Sequence, residues 1–120
     1  MSSAGGALTT HVLDTANGIP AAGVRIDLMR GSGADATPLA SITTNADGRT
    51  DAPLLEGAAL TPGTYTLLFF VGVYFRRRGH PDAGRFLDRI PVVFVVADAG
   101  ARYHVPLLVS PWSYATYRGS

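Results

Sequence analysis

Residues 64–71 (Thr-Tyr-Thr-Leu-Leu-Phe-Phe-Val) constrain the fold more than any other stretch, because both faces of the strand they predict are apolar. With a side-chain period of two, Tyr65, Leu67, Phe69 and Val71 point one way and Leu68 and Phe70 the other. Residues 90–97 (Ile-Pro-Val-Val-Phe-Val-Val-Ala) repeat the feature. A two-sheet sandwich buries only one face of each strand. Two doubly apolar strands in a chain of 120 residues therefore predict a second buried surface, an interface between subunits.

The remaining segments are short strands separated by turn signals. Residues 7–14 read as a first strand with Thr9, His11 and Leu13 on one face, and Asn17-Gly18 is a turn dipeptide. Residues 23–30 alternate cleanly, with Val24, Ile26 and Leu28 inward. Residues 38–44 follow as a strand and Asn45 to Gly48 as a tight turn, Gly48 being free to take positive φ. Residues 54–60 lack alternation and fit a short helical turn or an irregular edge. Between the two doubly apolar strands, residues 72–79 read as a short helix capped by Gly79, and 80–88 as a loop. Residues 103–110 and 113–117 complete the set. The expected fold is all-β, a single-domain, two-sheet antiparallel sandwich with one short helix.

Composition narrows the function classes. Cysteine is absent, which removes disulfides and thiolate metal sites. A net charge of +1 gives no electrostatic case for nucleic acid, and Arg76, Arg77 and Arg78 lack aromatic interleaving. No apolar run approaches the ~20 residues of a membrane span. The first six residues carry neither a basic region nor an apolar signal core, so the expectation is a cytoplasmic protein that does not engage a membrane.

Three polar residues and the C-terminal tail are the chemical candidates. His11 and His104 fall on strand faces, and a neutral imidazole with pKa ~6.5 can take a proton from water near pH 7. Each also fits an ordinary polar position on a strand. Zinc would need a third ligand, and none is nominated, so no metal is expected. Arg49 follows the turn directly; its fork of donors can clamp a planar polar ligand or an oxyanion, or simply face water. Tyr117, Arg118, Gly119 and Ser120 end the chain with aromatic, basic and hydroxyl groups beside a free carboxylate.

Three segments carry a family resemblance. Residues 8–21 (Leu-Thr-Thr-His-Val-Leu-Asp-Thr-Ala-Asn-Gly-Ile-Pro-Ala), 43–50 (Thr-Thr-Asn-Ala-Asp-Gly-Arg-Thr) and 103–120, ending Tyr-Arg-Gly-Ser, resemble the signatures of the 5-hydroxyisourate hydrolases, a branch of the transthyretin-like family. The terminal tetrapeptide is the most specific mark, since it separates the hydrolases from the hormone-carrier transthyretins. The resemblance implies a homotetramer that opens the six-membered ring of 5-hydroxyisourate without a cofactor. It implies that His11, alone or paired with His104, activates water, that His11 also binds substrate, and that Arg49 holds substrate and offsets oxyanion charge. It assigns Tyr117, Arg118, Gly119 and Ser120 to substrate binding, Tyr117 and Ser120 also to orienting the histidines. A transthyretin-type small-molecule carrier and a non-catalytic prealbumin-like binding module are the alternatives.

Overall fold

In the computed structural model, which describes residues 5–119, the alternating segments become nine strands and one α-helix among the described residues. They are β1 (Ala7–Asp14), β2 (Ile19–Pro20), β3 (Arg25–Arg30), β4 (Thr37–Thr43), β5 (Leu55–Glu56), β6 (Gly63–Phe70), α1 (Val71–Arg77), β7 (Arg89–Val96), β8 (Arg102–Val109) and β9 (Tyr114–Thr116). One sheet runs β2-β1-β8-β9 with β5 also on β1; the other runs β4-β3-β6-β7. The core lies between them. Leu8 and Val12 from β1 and Leu107 from β8 meet Ile26, Leu28, Leu67 and Phe69 from the facing sheet, all fully buried. The sandwich expected from the alternation is therefore present.

One ladder departs from the antiparallel expectation. β1 and β8 pair in parallel along their whole length, from Ala7 opposite Arg102 to Asp14 opposite Val109. Only strands joined by a tight hairpin are forced antiparallel; a parallel pair needs a long crossover, and here the whole opposite sheet supplies it. Residues 54–60 combine both of the forms their sequence allowed, since β5 leads into a 3-10 turn at Gly57–Ala59. The helix α1 starts at Val71, one residue before the expected segment, and Gly79 ends it at φ 76° with its N–H on the Arg76 carbonyl.

The second apolar face is also visible. On β7, Ile90, Val92 and Val96 are buried while Val93 and Val95 are 54% and 62% exposed. Pro91 is tolerated within this strand because β7 is an edge, where a missing N–H breaks no ladder. Among the described residues no helix is long and apolar enough to cross a membrane.

A buried carboxylate ties α1 to the end of β1. Asp14, 1% exposed, accepts hydrogen bonds from the Tyr74 hydroxyl at 2.8 Å and from the Asn17 backbone N–H and side-chain amide at 3.0 and 2.7 Å. Arg78 approaches the same carboxylate at 3.9 Å, and Arg77 donates to the Gly23 carbonyl at 2.6 Å. Two of the three consecutive arginines thus have structural partners. Burial, followed by the hydrogen bond to Asp14 and its charge, pushes the Tyr74 phenol well above its ordinary pKa, so it remains a donor. Tyr74→Phe leaves the carboxylate one donor short, and urea unfolding should show a loss of about 1.5–3 kcal/mol. An unchanged midpoint would mean that Asp14 holds α1 without the phenol.

Candidate active site

The parallel register decides which side chains meet. Pairing Thr9 with His104 and His11 with Pro106 places Thr9, His11 and His104 together on the outer face of their sheet. Leu8, Thr10 and Val12, with Tyr103, Val105 and Leu107, take the core side. Thr9, His11 and His104 are each half-buried.

Arg49 reaches this face through a gap in the sheet. On the side of β1 away from β8, β5 pairs only with Ala7 and Leu8, and β2 only with Leu13 and Asp14. The 45–48 turn fills the space between them, with the Val12 N–H donating to the Gly48 carbonyl at 2.8 Å. Gly48 has φ 74°, and a Cβ there would collide with the Val12 carbonyl oxygen, so only glycine lets the turn seat this closely. Asn45 locks the turn from within. Its side-chain oxygen accepts from the backbone N–H groups of Asp47 and Arg49 at 2.9 and 3.2 Å, and its own N–H donates to the Arg49 carbonyl at 2.7 Å. The Arg49 main chain is therefore fixed at both ends while its side chain stays exposed. Beside it, Thr9, Arg49, Thr50 and Asp51 line a cavity of about 190 Å³.

The two imidazoles are held differently. His11 Nε2 lies 2.9 Å from the Asp47 carbonyl oxygen, which can only accept, so that nitrogen carries the proton and the neutral ring offers a bare Nδ1. His104 Nδ1 lies 2.8 Å from the Thr9 hydroxyl, which leaves Nε2 as its reactive nitrogen. Burial pushes the His104 pKa down, and the charges of Arg49 and His11 lower it further. His104 is thus within electrostatic reach of both other candidates and is neutral at pH 7. A neutral base, a fixed cation and an oriented second histidine on one surface suit water attack on a carbonyl whose oxygen gains charge.

The tail divides between two places. Pro106 has no N–H, and the β8–β9 ladder stops one residue short of it, at Leu107 opposite Thr116. The Thr116 hydroxyl donates to the Pro106 carbonyl at 2.8 Å, and pairing resumes only at Gly119, whose N–H donates to the His104 carbonyl at 2.7 Å. Gly119 thereby lies against the imidazole. Tyr117 and Arg118, in the interruption, do not join the histidines. They line an apolar groove of about 350 Å³ with Val93, Val95 and Tyr103, and Arg118 stacks over the Tyr103 ring at 4.2 Å. Ser120 lies outside the described residues. The remaining histidine, His80, is elsewhere: it packs edge-on to Trp112 at 5.2 Å and accepts the Asp82 N–H on Nδ1 at 3.1 Å.

A Cβ at residue 119 would stand 2.7 Å from His104 Cδ2 and 3.3 Å from Cβ and Cγ. Gly119 is not in the positive-φ region, so what an added methyl meets first is the His104 side chain. Gly119→Ala should displace the imidazole and lower kcat up to ~100-fold, the scale of an ångström-sized misplacement. The melting temperature should hold, since the tail lies outside the core. Full turnover in this variant would show that the glycine does not set the ring position.

Sequence reasoning missed Thr9, the Asp47 carbonyl and the interruption at Pro106. Thr9 was visible on the His11 face two residues away, but its link to His104 depends on a register that alternation does not encode.

Comparison with known proteins places the chain in a family. The model of the HIUase/Transthyretin family matches residues 8–119. A 5-hydroxyisourate hydrolase of Deinococcus radiodurans is 54% identical over 113 residues, covering 94% of this chain and 95% of the relative. The solved structure of Klebsiella pneumoniae 5-hydroxyisourate hydrolase is 36% identical with a TM-score of 0.79, covering 96% of this chain and 94% of that one. An (S)-allantoin synthase structure is 49% identical with a TM-score of 0.91 over 99% of this chain, which spans only 45% of that longer chain. Near-complete coverage by a family model and by a relative with over half its residues identical leaves one assignment: this chain belongs to the HIUase/transthyretin family.

Proposed function

We propose that this protein hydrolyses 5-hydroxyisourate, opening its six-membered ring to give 2-oxo-4-hydroxy-4-carboxy-5-ureidoimidazoline. The observation that carries the reading is the convergence of His11, His104 and Arg49 on one outward sheet face. The hydrolase names of the relatives support it. In this reading His104 Nε2 takes a proton from water as the water oxygen bonds to the ring carbonyl carbon. Arg49 offsets the charge that develops on the carbonyl oxygen. When the ring C–N bond breaks, the nitrogen takes the proton back from the imidazolium, and the carboxylic acid that forms loses its remaining proton to solvent at pH 7. His11, its Nε2–H held by Asp47, orients the substrate through Nδ1. Gly119 lies against His104, and Ser120, the next residue in the sequence, is assigned to substrate binding and to orienting the histidines; Tyr117 and Arg118 carry the tail into place. No oxidation state changes, so the reaction requires no redox cofactor.

The carrier alternative would use the apolar groove, but it gives no role to a neutral histidine beside a fixed arginine. The homotetramer belongs to the same proposal. Exposed Val93 and Val95 and the free edges of β7 and β9 are its support, and sedimentation at the mass of one chain would remove it.

Reaction in 18O-labelled water tests the chemistry. Product carrying one 18O in its new carboxylate should form faster with the protein than in protein-free buffer. Equal rates would reject hydrolysis.

A further inference from the structure

Two adjacent threonines on β1 use their hydroxyls on opposite faces. Thr10 donates to the Val105 carbonyl at 2.7 Å inside the core. Thr9 lies on the outer face, 2.8 Å from Nδ1 of His104, its register partner across the parallel ladder. Its branched side chain is stiff at χ1, so the backbone pairing itself sets where the oxygen stands.

We propose that Thr9 is a positioning residue for His104: its hydroxyl accepts the Nδ1–H of the ring, keeping the one proton of the neutral imidazole on Nδ1 and the lone pair on Nε2. The consequence for turnover rests on the hydrolase reading; the bond does not. A neutral imidazole has one N–H, and a ring free to choose favours placing it on Nε2. A ring in that form cannot take a proton from water at Nε2. Of the other groups bearing on His104, the Arg49 guanidinium has no acceptor and Gly119 covers the carbon edge. Thr9 supplies the acceptor. Once Nε2 is protonated, the same Nδ1–H remains bonded to Thr9 and becomes charge-assisted, so one ring position serves both states of the cycle.

Thr9→Val removes the hydroxyl and keeps the branched shape, whereas Thr9→Ser keeps the hydroxyl. Long-range 15N–1H correlation spectra of the ligand-free protein read the His104 ring nitrogens directly. The protonated Nδ1 and bare Nε2 should appear in the unsubstituted protein and in Thr9→Ser, and should reverse in Thr9→Val. With 5-hydroxyisourate, Thr9→Val should lose kcat by about 10- to 100-fold, by analogy with the scale for removing a partner that orients a metal-ligating histidine. KM should change little, and Thr9→Ser should recover most of the rate. An unchanged tautomer in Thr9→Val, or its full kcat, overturns the proposal. The expected tautomers without turnover by any of the proteins would sink the hydrolase reading and leave the Thr9–His104 bond standing. Thermal melts verify folding, and Thr9→Ala replaces the valine variant if that one does not fold.

Discussion

Replacing His104 with alanine is expected to lower kcat by about 100- to 10,000-fold, the range contributed by a positioned general base. The ring is half-buried on the outer face of β8, and the bond between its backbone carbonyl and Gly119 survives the substitution, so the fold should be unchanged. The unsubstituted protein should also show where the base titrates. Burial, Arg49 and His11 all lower the His104 pKa from 6.5, so the acidic limb of kcat/KM should have its midpoint below that value. Stability follows the same sign. The unfolded chain binds this proton more readily than the folded one, so the contribution of neutral His104 is complete above 6.5 and fades as pH falls through the lower folded value. A His104→Ala protein with near-normal turnover would transfer the role of base to His11.

Arg49→Ala should cost about 100- to 1000-fold in kcat, as expected for a lost oxyanion donor. A second effect separates charge on the substrate from charge on the base. Removing the guanidinium removes one of the influences that depress His104, so the residual acidic limb should move upward, toward 6.5. A fall in kcat without that movement would place the arginine on the substrate alone. Normal kcat would remove it from the chemistry altogether. Because the Arg49 side chain is exposed and its main chain is held by Asn45, neither result should be confused with unfolding.

The features legible in the sequence are those written as local period. Val24, Ile26 and Leu28 alternate with polar neighbours and are buried as alternation requires. Gly48 and Gly79 mark turns at which the backbone adopts positive φ. The candidates His11, Arg49 and His104 could be named from their residue types and from family resemblance, but their meeting could not be derived. It depends on β1 and β8 pairing in parallel across most of the chain, and on a turn seated in the gap between β5 and β2. Both are long-range facts. Thr9 escaped notice for the same reason. The tail shows the limit of a motif: its four consecutive residues read as one functional wall, yet Pro106 interrupts the ladder so that Gly119 meets His104 while Arg118 stacks on Tyr103.

The most direct measurement generates 5-hydroxyisourate in situ from urate with urate oxidase and follows its ultraviolet decay with and without the protein, beside His104→Ala. The predicted result is a decay accelerated in proportion to protein concentration and slowed to the protein-free rate in the variant. A folded protein that leaves the decay unchanged would contradict the assignment, and the apolar groove beside Tyr117 would then become the place to look for a bound ligand.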